Sequence, residues 1–160
     1  MQLQPVKFRK EGAPGDWVHE VRDVLRRAQG PRGGRTLWIY NDNEQHRRTA
    51  IEGEGNAKVR PYNKFGAHAA EPLAAGVTTG SNGQGYKALT DAVRAVIDED
   101  LALISRLLQT GDYSTVRYSA TSLTSGNLGT GHFQVGTPVK KYIVAGLKRC
   151  VQLCNERVKL

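Results

Sequence analysis

Among the 160 residues there are only two cysteines, Cys150 and Cys154, and four histidines, His19, His46, His68 and His132. Neither set has the spacing of a metal site, so no structural metal is expected and no cofactor motif is present. The two cysteines stand four apart in a segment that reads as a helix. Their Cβ vectors run parallel there, which disfavours a disulfide and predicts buried free thiols in a reducing compartment. No apolar run approaches the roughly 18 to 20 residues of a membrane span. The N-terminus begins polar and charged, without the apolar core of a signal peptide. A soluble, cytoplasmic protein with no membrane partner is the expectation.

Positive charge is in excess: 23 lysines and arginines against 15 aspartates and glutamates leave a net charge of +8. Such a surface draws in anions, so nucleotides, nucleic acid and acidic partners all stay open, as does a homo-oligomer. The length suits one domain over residues 1–160, with a core large enough to stand without staples.

Hydrophobic spacing predicts a helix from Asp16, its N-cap, to about Gln29, with Trp17, Val18, Val21, Val24 and Leu25 inward. An extended start is placed at Val6–Lys10 and a buried strand at Thr36–Tyr40. Between Asn41 and Lys87 the chain is polar and glycine-rich, and a helix near Asn56–Asn63 and a strand at Gly76–Thr79 are expected to interrupt it. The longest apolar stripe predicts a helix over Lys87–Gln109; a strand at Tyr113–Ser119 and a last helix over Val139–Val158 follow. Strands alternating with helices predict an α/β fold: a single layered domain, its mixed or mostly parallel sheet flanked by helices.

Two segments carry the chemistry. Gly53-Glu54-Gly55-Asn56-Ala57 and Gly126-Asn127-Leu128-Gly129-Thr130-Gly131 each follow a strand and precede a helix. Glycines let backbone N–H groups approach an oxyanion, and a helix N-terminus adds partial positive charge. Neither segment is a P-loop or a dinucleotide fingerprint. In a parallel sheet, loops that leave the carboxyl ends of strands gather at one edge, so the two are expected to wall one site for a phosphate-bearing, nucleotide-like ligand. Arg47, Arg48, Lys58, Arg60 and Lys64 lie nearby in sequence, and Arg60 could grip a phosphate bidentately.

Asn41-Asp42-Asn43 at a strand end, the 53–57 segment entering a small-residue helix, and Leu128-Gly129-Thr130-Gly131-His132-Phe133 after a later strand together resemble the macrodomain family. That resemblance covers residues 36 to 155 and implies a macrodomain-like fold that binds ADP-ribose or related nucleotides. It implies that Asn43 orients near the distal ribose, with Asn41 and Asp42 beside it and Asp42 reaching the adenine amine or ribose hydroxyls. Gly53, Gly55 and Asn56 would form one phosphate wall and Gly129, Thr130 and Gly131 the other, with Phe133 stacked on a ribose or base.

Three functions follow as expectations. The first is a stand-alone binder of ADP-ribose or a cyclic or modified nucleotide, in the manner of phage-encoded sponges that sequester nucleotide signals of host immunity. The second is a hydrolase of ADP-ribosyl or nucleotide phosphate bonds, with Asp42, Glu54 or His132 as candidate catalysts, although these form no pair or triad. The third is a basic nucleic-acid binder, which lacks a recognised motif. Binding without turnover is favoured.

Overall fold

A computed structural model describes residues 1–10, 12–27, 34–131 and 133–158. Five strands and three α-helices follow in the order β1 (Gln2–Lys7), α1 (Trp17–Arg26), β2 (Arg35–Asn43), β3 (Ala74–Ser81), β4 (Gln84–Gly85), α2 (Asp91–Thr110), β5 (Tyr113–Ala120) and α3 (Thr137–Val158). A 3-10 helix over Gly55–Tyr62 lies between β2 and β3. The sheet order is β1-β5-β2-β3-β4. The first four are parallel neighbours, and β4 alone runs antiparallel, against β3. The fold is thus α/β with a mixed sheet flanked by helices.

β2 is central and buried on both faces, which is why its sequence is a continuous apolar run rather than an alternation. Leu37 and Ile39 point to one face, where they join Val77, Ile97, Ile104, Val116, Ile143 and Leu147 under α2 and α3. Trp38 and Tyr40 point to the other, against Trp17, Val18 and Val21 of α1, Ala57 and Val59 of the 3-10 helix, and Leu73. Three layers result, with β2 in the middle one.

The helix starts are set by side-chain caps. Asp16 accepts from the His19 amide at the head of α1, and Thr90 accepts from the Val93 amide at the head of α2. That second cap starts α2 at Asp91 rather than at Lys87. The end expected for α1, Gln29, lies outside the described residues. The extended start pairs as a strand at Gln2–Lys7, earlier than Val6–Lys10, because its partner β5 offers Thr115–Ala120 as a ladder. Pro5 sits in this edge strand, where a missing donor is tolerated.

Candidate functional site

Because β5, β2 and β3 run parallel, their carboxyl ends share one edge, and the two glycine-rich segments meet there at Asn41. The Asn41 backbone N–H donates to Asn56 Oδ1 at 2.9 Å, and its Nδ2 donates to the Gly129 carbonyl at 2.7 Å. A single residue at the end of β2 therefore ties both segments to the sheet. The carbonyl acceptor fixes which way the amide points. Its Oδ1 is buried and has no hydrogen-bond partner among the described residues. A buried acceptor left unpaired is costly, and a donor N–H or O–H is what it lacks.

In the first segment, the Gly53 amide donates to the Ala57 carbonyl at 3.1 Å, and Gly55 opens the 3-10 helix with φ +58°. Gly53 has a packing reason to be glycine: a Cβ there would lie 2.6 Å from Arg60 Nη1 and 2.8 Å from Ala57 Cβ. Asn56 is buried and its side chain serves Asn41. Glu54 is exposed. In the second segment, the Gly129 amide donates to the Ser119 carbonyl at 2.8 Å, which removes it as an anion donor. The Thr130 hydroxyl donates to the Phe133 carbonyl at 2.8 Å. Gly131 is exposed, left-handed at φ +57°, with open space where a Cβ would stand. Phe133 is half-buried and packs on the α2/α3 core rather than standing free as a stacking platform. His132 lies outside the described residues.

Arg60 and Asp42 do not present themselves to a ligand. Arg60 Nη2 and Nε donate to Asp42 Oδ1 at 2.7 and 3.2 Å, and Nη1 donates to the Ile51 carbonyl at 3.0 Å. Asp42 Oδ1 also accepts from the Asn43 amide at 2.9 Å. The pair is buried, so the bidentate phosphate grip foreseen for Arg60 and the water-activating or ribose-binding roles foreseen for Asp42 are replaced by an internal ion pair. Asn43 Oδ1 accepts from the His46 amide at 3.1 Å and lies 3.0 Å from its Nδ1, so the side chain holds the turn after β2.

The remaining cations of this stretch are also engaged. Arg47 Nη2 donates to Asp100 at 3.0 Å and Glu99 at 3.2 Å on α2, and Arg48 donates to Glu99 at 3.1 Å. Lys64 lies over the Phe65 ring. Sequence reasoning missed this tie between the 44–48 turn and α2, together with the 2.7 Å bond from the Tyr86 hydroxyl to Glu44. These partners are more than 40 residues apart, and no local pattern joins them. Burial, reinforced by the bond to Glu44, raises the Tyr86 pKa. Hydrogen bonds from Ser81 and then Tyr86 lower that of Glu44. Asp100 is held above the ordinary carboxylate value by burial, against the pull of Thr78 and Arg47.

Among the described residues no group of three His, Cys, Asp or Glu side chains is placed to hold a metal, and no helix is long and apolar enough to cross a membrane. Cys150 and Cys154 are buried free thiols. An open cleft of about 350 Å³ lies away from the glycine-rich segments, between α1, the start of β2 and Arg117 of β5. Compared with known proteins, the chain matches no family model, no curated protein and no solved structure.

Proposed function

We propose that this chain binds a phosphate-bearing, nucleotide-like ligand, ADP-ribose or a cyclic or modified nucleotide, at the carboxyl edge of β2 and β5. The observation that carries this reading is the double anchoring at Asn41, which holds the 53–57 and 126–131 segments against one strand end. Ligands of open α/β sheets bind in such crevices. Gly55 and Gly131, both exposed and left-handed, give each segment a backbone turn of the kind that presents amides to an anion. The Oδ1 of Asn41, without a partner among the described residues, supplies an acceptor for a ligand hydroxyl or amine. A macrodomain-like relationship accords with this arrangement.

Binding without turnover is the reading the site supports. Asp42 is sealed in its ion pair with Arg60, so among the described residues this carboxylate is not free to activate water. Sequestration of a nucleotide signal, as by a phage-encoded sponge, is a role such a binder could serve.

Calorimetric titration with ADP-ribose and a panel of cyclic nucleotides tests the proposal. Saturable binding that Gly131→Val weakens at least about tenfold, in a variant that still unfolds cooperatively, supports it; a bulky β-branched side chain is strained at this φ. No binding by any of these nucleotides overturns it. Chromatography of the ligand after incubation then separates binder from hydrolase: intact ligand supports the binder, and a cleaved product supports the alternative.

A further inference from the structure

The open cleft on the α1 face of the sheet lies at the opposite end from the glycine-rich segments. α1 runs back along the sheet between parallel strands β1 and β2, so its last turn sits at the amino edge, beside Gly34, Arg35 and Thr36. The cleft is about 350 Å³, within the range of small-molecule sites. Its apolar wall is Val24 and Trp38.

Two guanidiniums line it, of which Arg117 is held in place. Arg117 lies over the Trp38 ring at 5.7 Å. Its Nε donates to Gln4 Oε1 at 2.6 Å and its Nη1 to Glu20 Oε2 at 3.0 Å. Glu20 Oε2 also accepts from the Trp38 indole at 3.3 Å, which locks the three side chains into one unit. Arg35 is held by a 3.1 Å bond from Nη2 to Glu71. These bonds use Nε and Nη1 of Arg117 and Nη2 of Arg35, and a guanidinium carries five N–H donors, so each keeps N–H groups for another acceptor.

The lining carries three cations against two carboxylates, and the spare guanidinium N–H groups are what an anion would meet. Arg27, Arg35 and Arg117 line the cleft against Glu20 and Asp23; Arg117 is paired with Glu20 and Arg35 with Glu71 outside the lining, so the excess positive charge is Arg27's. The carboxyl end of α1 adds partial negative charge, and Arg26 in its last turn pairs with Asp23. A guanidinium fork matches a planar or tetrahedral oxyanion, and a preset one loses little entropy on binding.

We propose that this cleft is a second, separate binding site for a small organic oxyanion, with its carboxylate or phosphate held by Arg35 and Arg117 and its apolar body against Val24 and Trp38. The site shares no residue with the proposed nucleotide crevice, so either can fail without the other.

The test is nuclear magnetic resonance on the full 15N-labelled chain, titrated with benzoate and, separately, phenyl phosphate. The expected result is a saturable shift of the Trp38 indole and Arg117 Nε–H signals while the Trp17 indole stays still. Arg117→Gln and Arg35→Gln should each weaken binding by at least about tenfold, as the loss of a charge-assisted bond does, with the unshifted Trp17 indole reporting that the variant is folded. The stronger response of the two probes assigns carboxylate or phosphate. Shifts that do not saturate, that sodium chloride at equal ionic strength reproduces, or that centre on other residues overturn the proposal. So does unchanged affinity in either folded variant.

Discussion

Arg60 on the 3-10 helix donates twice to Asp42 at the end of β2, with the side chains 2% and 6% exposed. The pair fastens the segment after β2 down onto the sheet. Arg60 Nη1 extends the fastening to the Ile51 carbonyl, and the guanidinium lies 5.7 Å from the centre of the Tyr40 ring. A buried pair of this kind adds modest net stability when whole, but removing one partner strands the other charge away from water.

Arg60→Ala should therefore lower unfolding free energy by about 3–5 kcal/mol. Urea denaturation measures it. Arg60→Met combined with Asp42→Asn, which removes both charges, should recover part of that loss. A loss below about 1 kcal/mol for the single variant, the size expected of a surface pair, would contradict a buried role.

Gly53 and Gly131 should respond differently to alanine. At Gly53 the new Cβ meets Arg60 Nη1 and Ala57 Cβ, and the guanidinium is pinned by three bonds, so overpacking should cost about 1–3 kcal/mol. At Gly131 the space is open and only the left-handed backbone resists, at about 1 kcal/mol. Thermal unfolding of the two variants side by side checks the order.

Asp100 should make stability fall with rising pH over part of the acid range. Burial raises its pKa above 3.8 in the native state, so the folded chain holds this proton more tightly than the unfolded chain. The contribution is complete below 3.8 and is lost as pH climbs through the raised value. Asp100→Asn removes the slope: relative to wild type, the variant gains stability across that window and holds the gain above it. Unfolding free energies compared at a series of pH values measure this, and a difference flat in pH refutes it.

Cys150 and Cys154 should resist thiol reagents. Both are buried on α3, and their thiols donate to the Leu101 and Leu108 carbonyls of α2 at 3.5 and 3.4 Å. Burial also pushes the Cys150 thiol pKa up, which lowers its thiolate fraction. Labelling should be slow in the native protein and fast for both in denaturant; rapid native labelling of Cys150 would count against the packing.

What could be read along the chain was periodic. The stripe Ile97, Leu101, Ile104 and Leu108 announces α2, and Thr36–Tyr40 announces the core of β2, since both signals repeat within a few residues. One local signal went unread: Asn82-Gly83, both at positive φ, joins Ser81 to Gln84 as a two-residue hairpin and makes β4. The clustering of the glycine-rich segments was legible only through the rule for strand ends. Arg60 shows the limit, because a cation in a polar, glycine-rich stretch reads as solvent-facing until the fold brings Asp42 over it.

Local sequence thus determined the three long helices and the cores of β2, β3 and β5, the Asp16 cap of α1, and that the cysteines sit on one helix face. Tertiary structure decided the strand order β1-β5-β2-β3-β4, the meeting of both segments at Asn41, and the partners of Asp42, Arg47 and Arg117. Helix and strand signals arise from neighbours in the chain. Pairing between residues 15 to more than 100 positions apart depends on how closed loops and buried faces pack, and no short window of sequence contains that.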